Sequence, residues 1–279
     1  MLKIMPMDAI ILALLLLVLL ALVMAGAWVA QRQTGNSGWV DAFWTLGTGG
    51  AAAIGALVPL GSVPIGRRLL VAALVLIWAF RLGGYIIRRT RTITHEDARY
   101  ARFRAEWGAG FEKKMFALLM IQAVVAWVLV IAVMIAANNP QPLTGAAWVW
   151  TLAGLAVFGG SIWGATVADA QMHAFRADPA HRGQVCDRGL WAWSRHPNYF
   201  FEALIWFSYP LIGVAGGWAP GLIALIGPLG MAGLLIKISG IPPLEREMLA
   251  SRPEAYAAYQ ARVSAFVPWP PHAGQSRVK

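Results

Sequence analysis

Cysteine and charge are scarce in this sequence. The 279-residue chain has a single cysteine, Cys186. A lone cysteine excludes an intramolecular disulfide and any metal site built from several cysteines. Charged residues make up only 13% of the chain, whereas a soluble domain carries about 25%. Acidic residues are fewer than basic ones, with 13 Asp and Glu against 23 Lys and Arg, so the formal net charge is +10.

Apolar residues take the place of the missing charge, at 58% of the chain. Several runs approach the length of about 20 residues that a helix needs to cross a bilayer. The first run exceeds the 7–15 residues of a secretion-signal core, so we expect it to be retained as a helix. The sequence predicts an all-α polytopic membrane protein, one domain over 1–279, with seven spans at 8–30, 40–60, 67–87, 116–137, 146–167, 201–217 and 219–237.

The basic residues lie beside the apolar spans. They are not interleaved with exposed aromatics on a polar face, which argues against a nucleic-acid partner. Because Lys and Arg concentrate in cytoplasmic loops, the pattern predicts an N-terminus outside and a C-terminus in the cytoplasm. The inner segments would then be 31–39, 88–115, 168–200 and 238–279, which hold 18 of the 23 Lys and Arg.

One face of the helix that continues from the fifth span carries Asp169, His173 and Arg176, at helical spacing. Further arginines follow at Arg182 and Arg188. Arg matches phosphate oxygens with two parallel donors, so this cluster could hold a phosphate-bearing ligand or anionic lipid. The residues alone leave both interpretations open.

The segment 189–202 carries a carboxylate into an apolar span. Pro197 suits the first turn of a helix, where a missing N–H costs nothing. Asn198 and Glu202 then lie one turn apart on one face. A carboxylate inside the membrane boundary indicates a functional site. The alternative is a structural ion pair between Glu202 and Arg195 or His196.

Two more charges interrupt apolar runs. Asp41 opens the second span and Arg81 lies within the third. Each is costly unless it faces a polar cavity. The segment from His95 to Arg102 is predicted to be helical, and on residues alone it could be a solvated helix with its own ion pairs.

Taken in order, these motifs resemble the steroid 5α-reductase family, in the bacterial branch of the integral membrane 3-oxo-5-alpha-steroid 4-dehydrogenase superfamily. The resemblance covers most of the chain. It rests on Val40-Asp41-Ala42-Phe43-Trp44, Glu96-Asp97-Ala98-Arg99-Tyr100, Ala168-Asp169-Ala170-Gln171 with Phe175-Arg176, Gly189-Leu190-Trp191, Arg195-His196-Pro197-Asn198-Tyr199-Phe200-Phe201-Glu202, and Glu247, Tyr256, Tyr259 and Phe266-Val267-Pro268.

The resemblance implies a monomeric seven-helix enzyme of the bacterial inner membrane. Such an enzyme binds NADPH in a cavity open to the cytoplasm and takes a 3-oxo-Δ4 steroid or similar enone from the bilayer. Hydride from the nicotinamide adds to the β-carbon, and a proton reaches the α-carbon. Negative charge develops on the carbonyl oxygen, so a donor aimed at that oxygen lowers the barrier.

Position by position, the resemblance also implies roles for individual residues. Asp41, when protonated, would donate to the substrate ketone, as an apolar pocket allows. Trp78 stands where the family has a tyrosine that shares this role, with Tyr85 close by on the helix. Two residues depart from the family pattern, Phe201 in place of Gly and Met172 in place of Lys. The implied catalytic residues are Glu202, Asp41 and Tyr85, and the implied cofactor residues are Asn198, Asp169, Arg176, His173, Arg195, His196, Arg99, Tyr100, Glu247 and Tyr259.

No Gly-x-Gly-x-x-Gly motif follows a strand, so a nicotinamide cofactor could not bind in the Rossmann manner.

Other enzyme classes share parts of the sequence pattern. Arg-His-Pro-x-Tyr with an acidic, Tyr-containing tail also occurs in isoprenylcysteine carboxyl methyltransferases, which use S-adenosylmethionine. A sterol reductase acting on an alkene is a third possibility. A transporter would place polar groups near mid-membrane in several helices, a pattern that this sequence lacks.

Overall fold

The described elements are helical throughout. The structure is a computed structural model that describes residues 7–92 and 98–271. Within these residues there is no β-strand, and Ser194 and Ser264 form an isolated bridge. The helices are α1 Met7–Thr34, α2 Gly38–Leu57, α3 Ile65–Thr92, α4 Ala98–Trp107, α5 Phe111–Ala137, α6 Ala146–Ala177, α7 Pro197–Trp206, α8 Ser208–Gly213, α9 Ile226–Lys237, α10 Ile241–Ser251 and α11 Pro253–Arg262.

Among the residues that the structure describes, five helical stretches are long and apolar enough to cross a membrane. They overlap five of the seven predicted spans. The chain is therefore an all-helical membrane protein. The five stretches are Met7–Thr34, Ile65–Thr92, Arg99–Ala137, Ala146–Ala177 and Ala219–Ser251.

The predicted span at 40–60 corresponds to α2, which falls outside this set because Gly, Ala and Thr dilute its apolar character. Helix α2 packs against α1, α3 and α5. A Cβ added at Gly47 would lie 2.6 Å from Val23, and one at Gly55 would lie 2.6 Å from Met134. Small residues allow such close helix contacts. Because half of the residues of α2 are buried against other helices, it does not need a strongly apolar surface.

The predicted continuous span at 201–217 is wrong as a single helix. Helix α7 ends at Trp206, α8 covers only Ser208–Gly213, and a 3₁₀ turn follows at Ala215–Gly217. Pro210 has no N–H to donate to the preceding turn. Gly216 has a φ of 71°, a left-handed conformation that reverses the chain.

The chain divides into two compact units, Met1–Gly154 with Tyr209–Gly227, and Leu155–Ser208 with Pro228–Lys279. In the first unit, α2 is the central helix. The second unit contains most of α6, the loop that follows it, α7, and the carboxyl-terminal helices α10 and α11. The predicted site residues are distributed over both units.

Candidate functional site

In the first unit, Asp41 forms a small polar cluster with the first turn of α4. Arg99 Nη2 lies 2.6 Å from Asp41 Oδ2, and the hydroxyl of Tyr100 donates to Asp41 Oδ1 at 3.1 Å. Tyr100 is buried, whereas the side chains of Arg99 and Asp41 are 25% and 32% exposed. The structure therefore brings together residues from two separate motifs. Glu96 and Asp97, from the same motif as Arg99, lie outside the described residues.

This geometry differs from the predicted role of Asp41. Both carboxyl oxygens of Asp41 accept from protein donors, whereas the predicted role requires Asp41 to donate to a ketone. The hydroxyl that bonds Asp41 belongs to Tyr100, and Tyr85 lies half-buried on α3. Trp78 is fully buried, with its ring edge-on to Trp44 at 6.4 Å.

In the second unit, the loop after α6 is fixed to that helix by two hydrogen bonds. Gln171 Oε1 accepts from the Leu190 backbone N–H at 2.9 Å, and Trp191 Nε1 donates to the Ala168 carbonyl at 3.0 Å. Gly189 has a φ of 58°, and a Cβ there would lie 2.5 Å from the Gln171 amide. Only glycine allows this close approach. The Ala168–Gln171 and Gly189–Trp191 motifs are thus in direct contact.

Glu245 is the centre of a polar cluster in the second unit. Arg195 donates from Nε to Oε1 at 2.7 Å and from Nη2 to Oε2 at 3.3 Å, which is a bidentate pair. His196 Nε2 lies 3.1 Å from Oε1. Gln260 donates to Oε2 at 2.8 Å, and the Tyr256 hydroxyl donates to Oε1 at 3.3 Å. Four side chains therefore hold this carboxylate in place.

Arg195 also binds the end of the chain beyond α11. Its Nη1 donates to the carbonyls of Gln260 and Val263, and its backbone N–H donates to the Ser264 carbonyl at 2.8 Å. The hydroxyl of Ser194 donates to the Phe266 carbonyl at 2.8 Å. The loop before α7 and the carboxyl-terminal segment are thereby held together.

Tyr256 and Tyr259, the tyrosines of the carboxyl-terminal segment, are buried in the protein. The hydroxyl of Tyr259 donates to the Trp191 carbonyl at 2.5 Å. Tyr259 packs with Tyr256 and Val263 in a small buried core. Burial raises the pKa of both tyrosines above the usual value, so their hydroxyls stay neutral. Tyr259, a predicted cofactor residue, therefore belongs to this buried core.

Glu247, a predicted cofactor residue, is exposed on α10, and Glu245 on the same helix binds Arg195. Glu245 was missed from the sequence. The sequence spacing could have indicated that Glu245 is buried. Ile241, Glu245 and Leu249 fall on one helical face that points inward, whereas Glu247 falls on another.

Helix α7 begins at Pro197, as predicted, with Asn198 and Glu202 both half-buried one turn apart. Arg195 and His196 bind Glu245 rather than Glu202. The alternative in which Glu202 serves only as the ion-pair partner of these two residues is thus removed.

Phe201, which departs from the family pattern, contacts α6. A Cβ at Gly164 would lie 2.5 Å from the Phe201 ring. The bulky residue at 201 is therefore matched by a glycine on the neighbouring helix. Asp169, His173 and Arg176 all belong to α6, as predicted, and the last two are exposed near its carboxyl end.

Comparison with known proteins identifies a family whose function is unknown. A family model described as a protein of unknown function, DUF1295, matches residues 27–263. The chain belongs to the DUF1295 family. An uncharacterized protein of Schizosaccharomyces pombe is 34% identical over 80 residues, which are 29% of this chain and 22% of that protein. No solved structure matches the chain. The DUF1295 match includes both carboxylate clusters and all of α7.

Proposed function

We propose that this DUF1295 protein is an NADPH-dependent membrane reductase that acts on the Δ4 double bond of a 3-oxo-Δ4 steroid or a similar hydrophobic enone. In this proposal the chain crosses a bacterial inner membrane seven times, with its C-terminus in the cytoplasm. The charge distribution supports that orientation, because most Lys and Arg lie in the segments assigned to the inner side.

The observation that carries the proposal is the placement of Glu202, a half-buried carboxylate, on the apolar helix α7. Ionisable residues in membrane-embedded helices are rare and typically mark a functional site. Glu202 shares its helical face with the amide of Asn198. An amide and a carboxylate at this spacing fit the donors and acceptors of a nicotinamide carboxamide.

NADPH would supply hydride to the β-carbon of the enone. Asn198 and Glu202 would orient the nicotinamide, and Arg176, exposed at the end of α6, would hold phosphate. Phosphate binding needs no glycine-rich turn if guanidinium groups supply the donors.

The Asp41 cluster supports the reductase over the methyltransferase. The Asp41 and Arg99–Tyr100 motifs belong to the reductase resemblance, and their side chains bond to each other. In this arrangement Asp41 is a positioning residue that orients Arg99 and Tyr100. The proton for the α-carbon then comes from another donor or from water.

The second candidate is an S-adenosylmethionine-dependent methyltransferase of the isoprenylcysteine carboxyl type. The contact of Arg195 and His196 with Glu245 and Tyr256 favours it. Arg-His-Pro-x-Tyr and an acidic, Tyr-containing tail are the features that the sequence shares with that class.

Ligand-induced stabilisation separates the two candidates. We expect NADPH to raise the melting temperature of the purified protein in detergent, since a ligand that binds only the folded state stabilises it. The same preparation should then oxidise NADPH when a 3-oxo-Δ4 steroid is added. Stabilisation by S-adenosylmethionine, without an effect of NADPH or NADH, would favour the methyltransferase.

A conservative change at Glu202 tests the site itself. Glu202→Gln keeps the shape but changes the hydrogen bonding, so turnover should fall about a hundredfold through misorientation of the reacting atoms. The melting temperature without ligand should stay close to that of the wild type. Glu254→Gln, at the exposed start of α11, is the matched control and should change neither quantity. Full activity in Glu202→Gln would assign Glu202 to structure.

A further inference from the structure

A groove lies between the carboxyl end of α1 and the first turns of α5. It is lined by Trp28, Glu112, Lys113 and Phe116 and has a volume of about 470 Å³. The rings of Trp28 and Phe116 meet edge to face at 5.5 Å. Both helices belong to stretches apolar enough to cross a membrane. The groove therefore lies where an apolar surface meets charged residues.

The acidic residue of the groove is already neutralised. Gln31 Nε2 donates to Glu112 Oε2 at 3.1 Å, and Arg32 Nε lies 3.6 Å from the same oxygen. Arg32 also lies over the Trp28 ring, 4.5 Å from its centroid. Trp28 Nε1 donates to the Glu112 carbonyl at 3.2 Å. Arg32 and Glu112 offset each other, and the remaining charge at the groove is that of Lys113.

The two adjacent lysines differ in their surroundings. Lys113 lines the groove and, in the part of the chain that the structure describes, has no acidic partner. Lys114 does not line the groove, and its Nζ lies 6.0 Å from the centroid of the Trp107 ring. The chain thus offers a matched pair of neighbouring cations, with one in the groove and one outside it.

We propose that this groove binds an anionic phospholipid of the bilayer. Lys113 binds the headgroup phosphate, and an acyl chain lies along Phe116, whose side chain is 39% exposed. Trp and Lys at the end of apolar helices are suited to the headgroup region. A zwitterionic lipid fits less well, because its headgroup cation offsets the negative charge of its own phosphate and weakens the attraction to Lys113. This proposal does not depend on the enzymatic activity.

Native mass spectrometry of the detergent-purified protein tests the proposal. With added phosphatidylglycerol or phosphatidylcholine, the wild type should retain one phosphatidylglycerol in preference to phosphatidylcholine. Lys113→Glu should reduce the retention of phosphatidylglycerol about tenfold, because a charge near a lipid surface is reversed. Lys114→Glu should retain the lipid, and Lys113→Arg should also retain it. Monodisperse elution in size-exclusion chromatography establishes that each variant is folded.

Three outcomes would overturn the proposal. They are equal retention of both lipids by the wild type, unchanged retention in Lys113→Glu, and equal losses in Lys113→Glu and Lys114→Glu. A fourth arm adds glycerol phosphate, which has the phosphate but no acyl chain. If it displaces the phospholipid at millimolar concentration, the site recognises a soluble phosphate and not a lipid.

Discussion

The two units each contain a carboxylate bound to an arginine, but the two pairs are built differently. Glu245 receives donors from Arg195, His196, Gln260 and Tyr256. The side chains of Arg195 and Glu245 are only 11% and 15% exposed. In the part of the chain that the structure describes, Asp41 has one donor on each oxygen and is 32% exposed.

The difference between the two carboxylates indicates a structural role for Glu245 and a functional role for Asp41. A carboxylate has about four lone-pair positions, so the acceptor capacity of Glu245 is used up by its protein donors. Such a group fixes chain segments and has little capacity left for a ligand. Asp41 keeps acceptor positions and some exposure, which fits a residue that positions Arg99 and Tyr100 rather than one that fixes chain segments. We therefore expect changes at Glu245 to affect folding and changes at Asp41 to affect turnover.

The largest effect is expected for Glu245→Ala. This change leaves Arg195 and His196 buried without their carboxylate, and breaking a buried ion pair costs about 3–5 kcal/mol. The melting temperature and the yield of folded protein should both fall strongly. Glu247→Ala, two residues along the same helix and exposed, should change stability by less than about 0.5 kcal/mol. Equal effects of the two changes would contradict the structural role of Glu245.

The reverse pattern is expected for Asp41→Asn. The partly exposed pair with Arg99 contributes about 0–1 kcal/mol to stability, so the melting temperature should change little. Turnover of a 3-oxo-Δ4 steroid with NADPH should fall about 10- to 100-fold, because Arg99 and Tyr100 lose the charge that orients them. A large loss of stability with unchanged activity per folded molecule would place Asp41 in the same structural class as Glu245.

Local signals in the sequence predicted much of the fold. Long apolar runs identified the helices at 8–30, 67–87, 116–137 and 146–167. Pro197 correctly predicted the start of α7. The span at 201–217 failed because hydropathy does not register the effect of Pro210 and Gly216 on the backbone.

The site was harder to predict, because its contacts join residues far apart in the sequence. Arg195 was identified from its motif, but its partner Glu245 lies fifty residues later. Glu247 was chosen over Glu245 from the resemblance, although helical spacing favours Glu245 for burial. The pairing of Arg99 with Asp41 likewise depends on tertiary packing, which no local pattern encodes.

A smaller effect, on stability alone, is expected for Tyr259→Phe. The ring stays in its core and one buried hydrogen bond to the Trp191 carbonyl is lost, at a cost of about 1 kcal/mol. Burial raises the pKa of Tyr259 above the unfolded value of about 10. Its contribution is therefore present below about pH 10 and is lost as the pH rises further. Melting curves from pH 8 to 11 should show a smaller alkaline loss in the variant than in the wild type.

The same experiment tests whether Tyr259 belongs to the core or to the cofactor site. If the hydroxyl only supports the loop before α7, the Kd for NADPH should stay close to the wild-type value in Tyr259→Phe at neutral pH. A strong loss of NADPH affinity without a change in melting temperature would return Tyr259 to the cofactor residues.

The smallest effect is expected for Glu106→Gln, which completes the comparison at the exposed extreme. Arg102 Nε lies 2.6 Å from Glu106 Oε1 on α4, with side chains 42% and 47% exposed. This distance is as short as that in the Asp41–Arg99 pair, so distance alone would predict equal effects. An exposed pair one helical turn apart contributes only about 0.3–0.5 kcal/mol, because water and salt screen it. The melting temperature should change little, and raising the salt concentration should reduce even that change. Loss of stability similar to that of Glu245→Ala would show that burial does not determine the strength of these pairs.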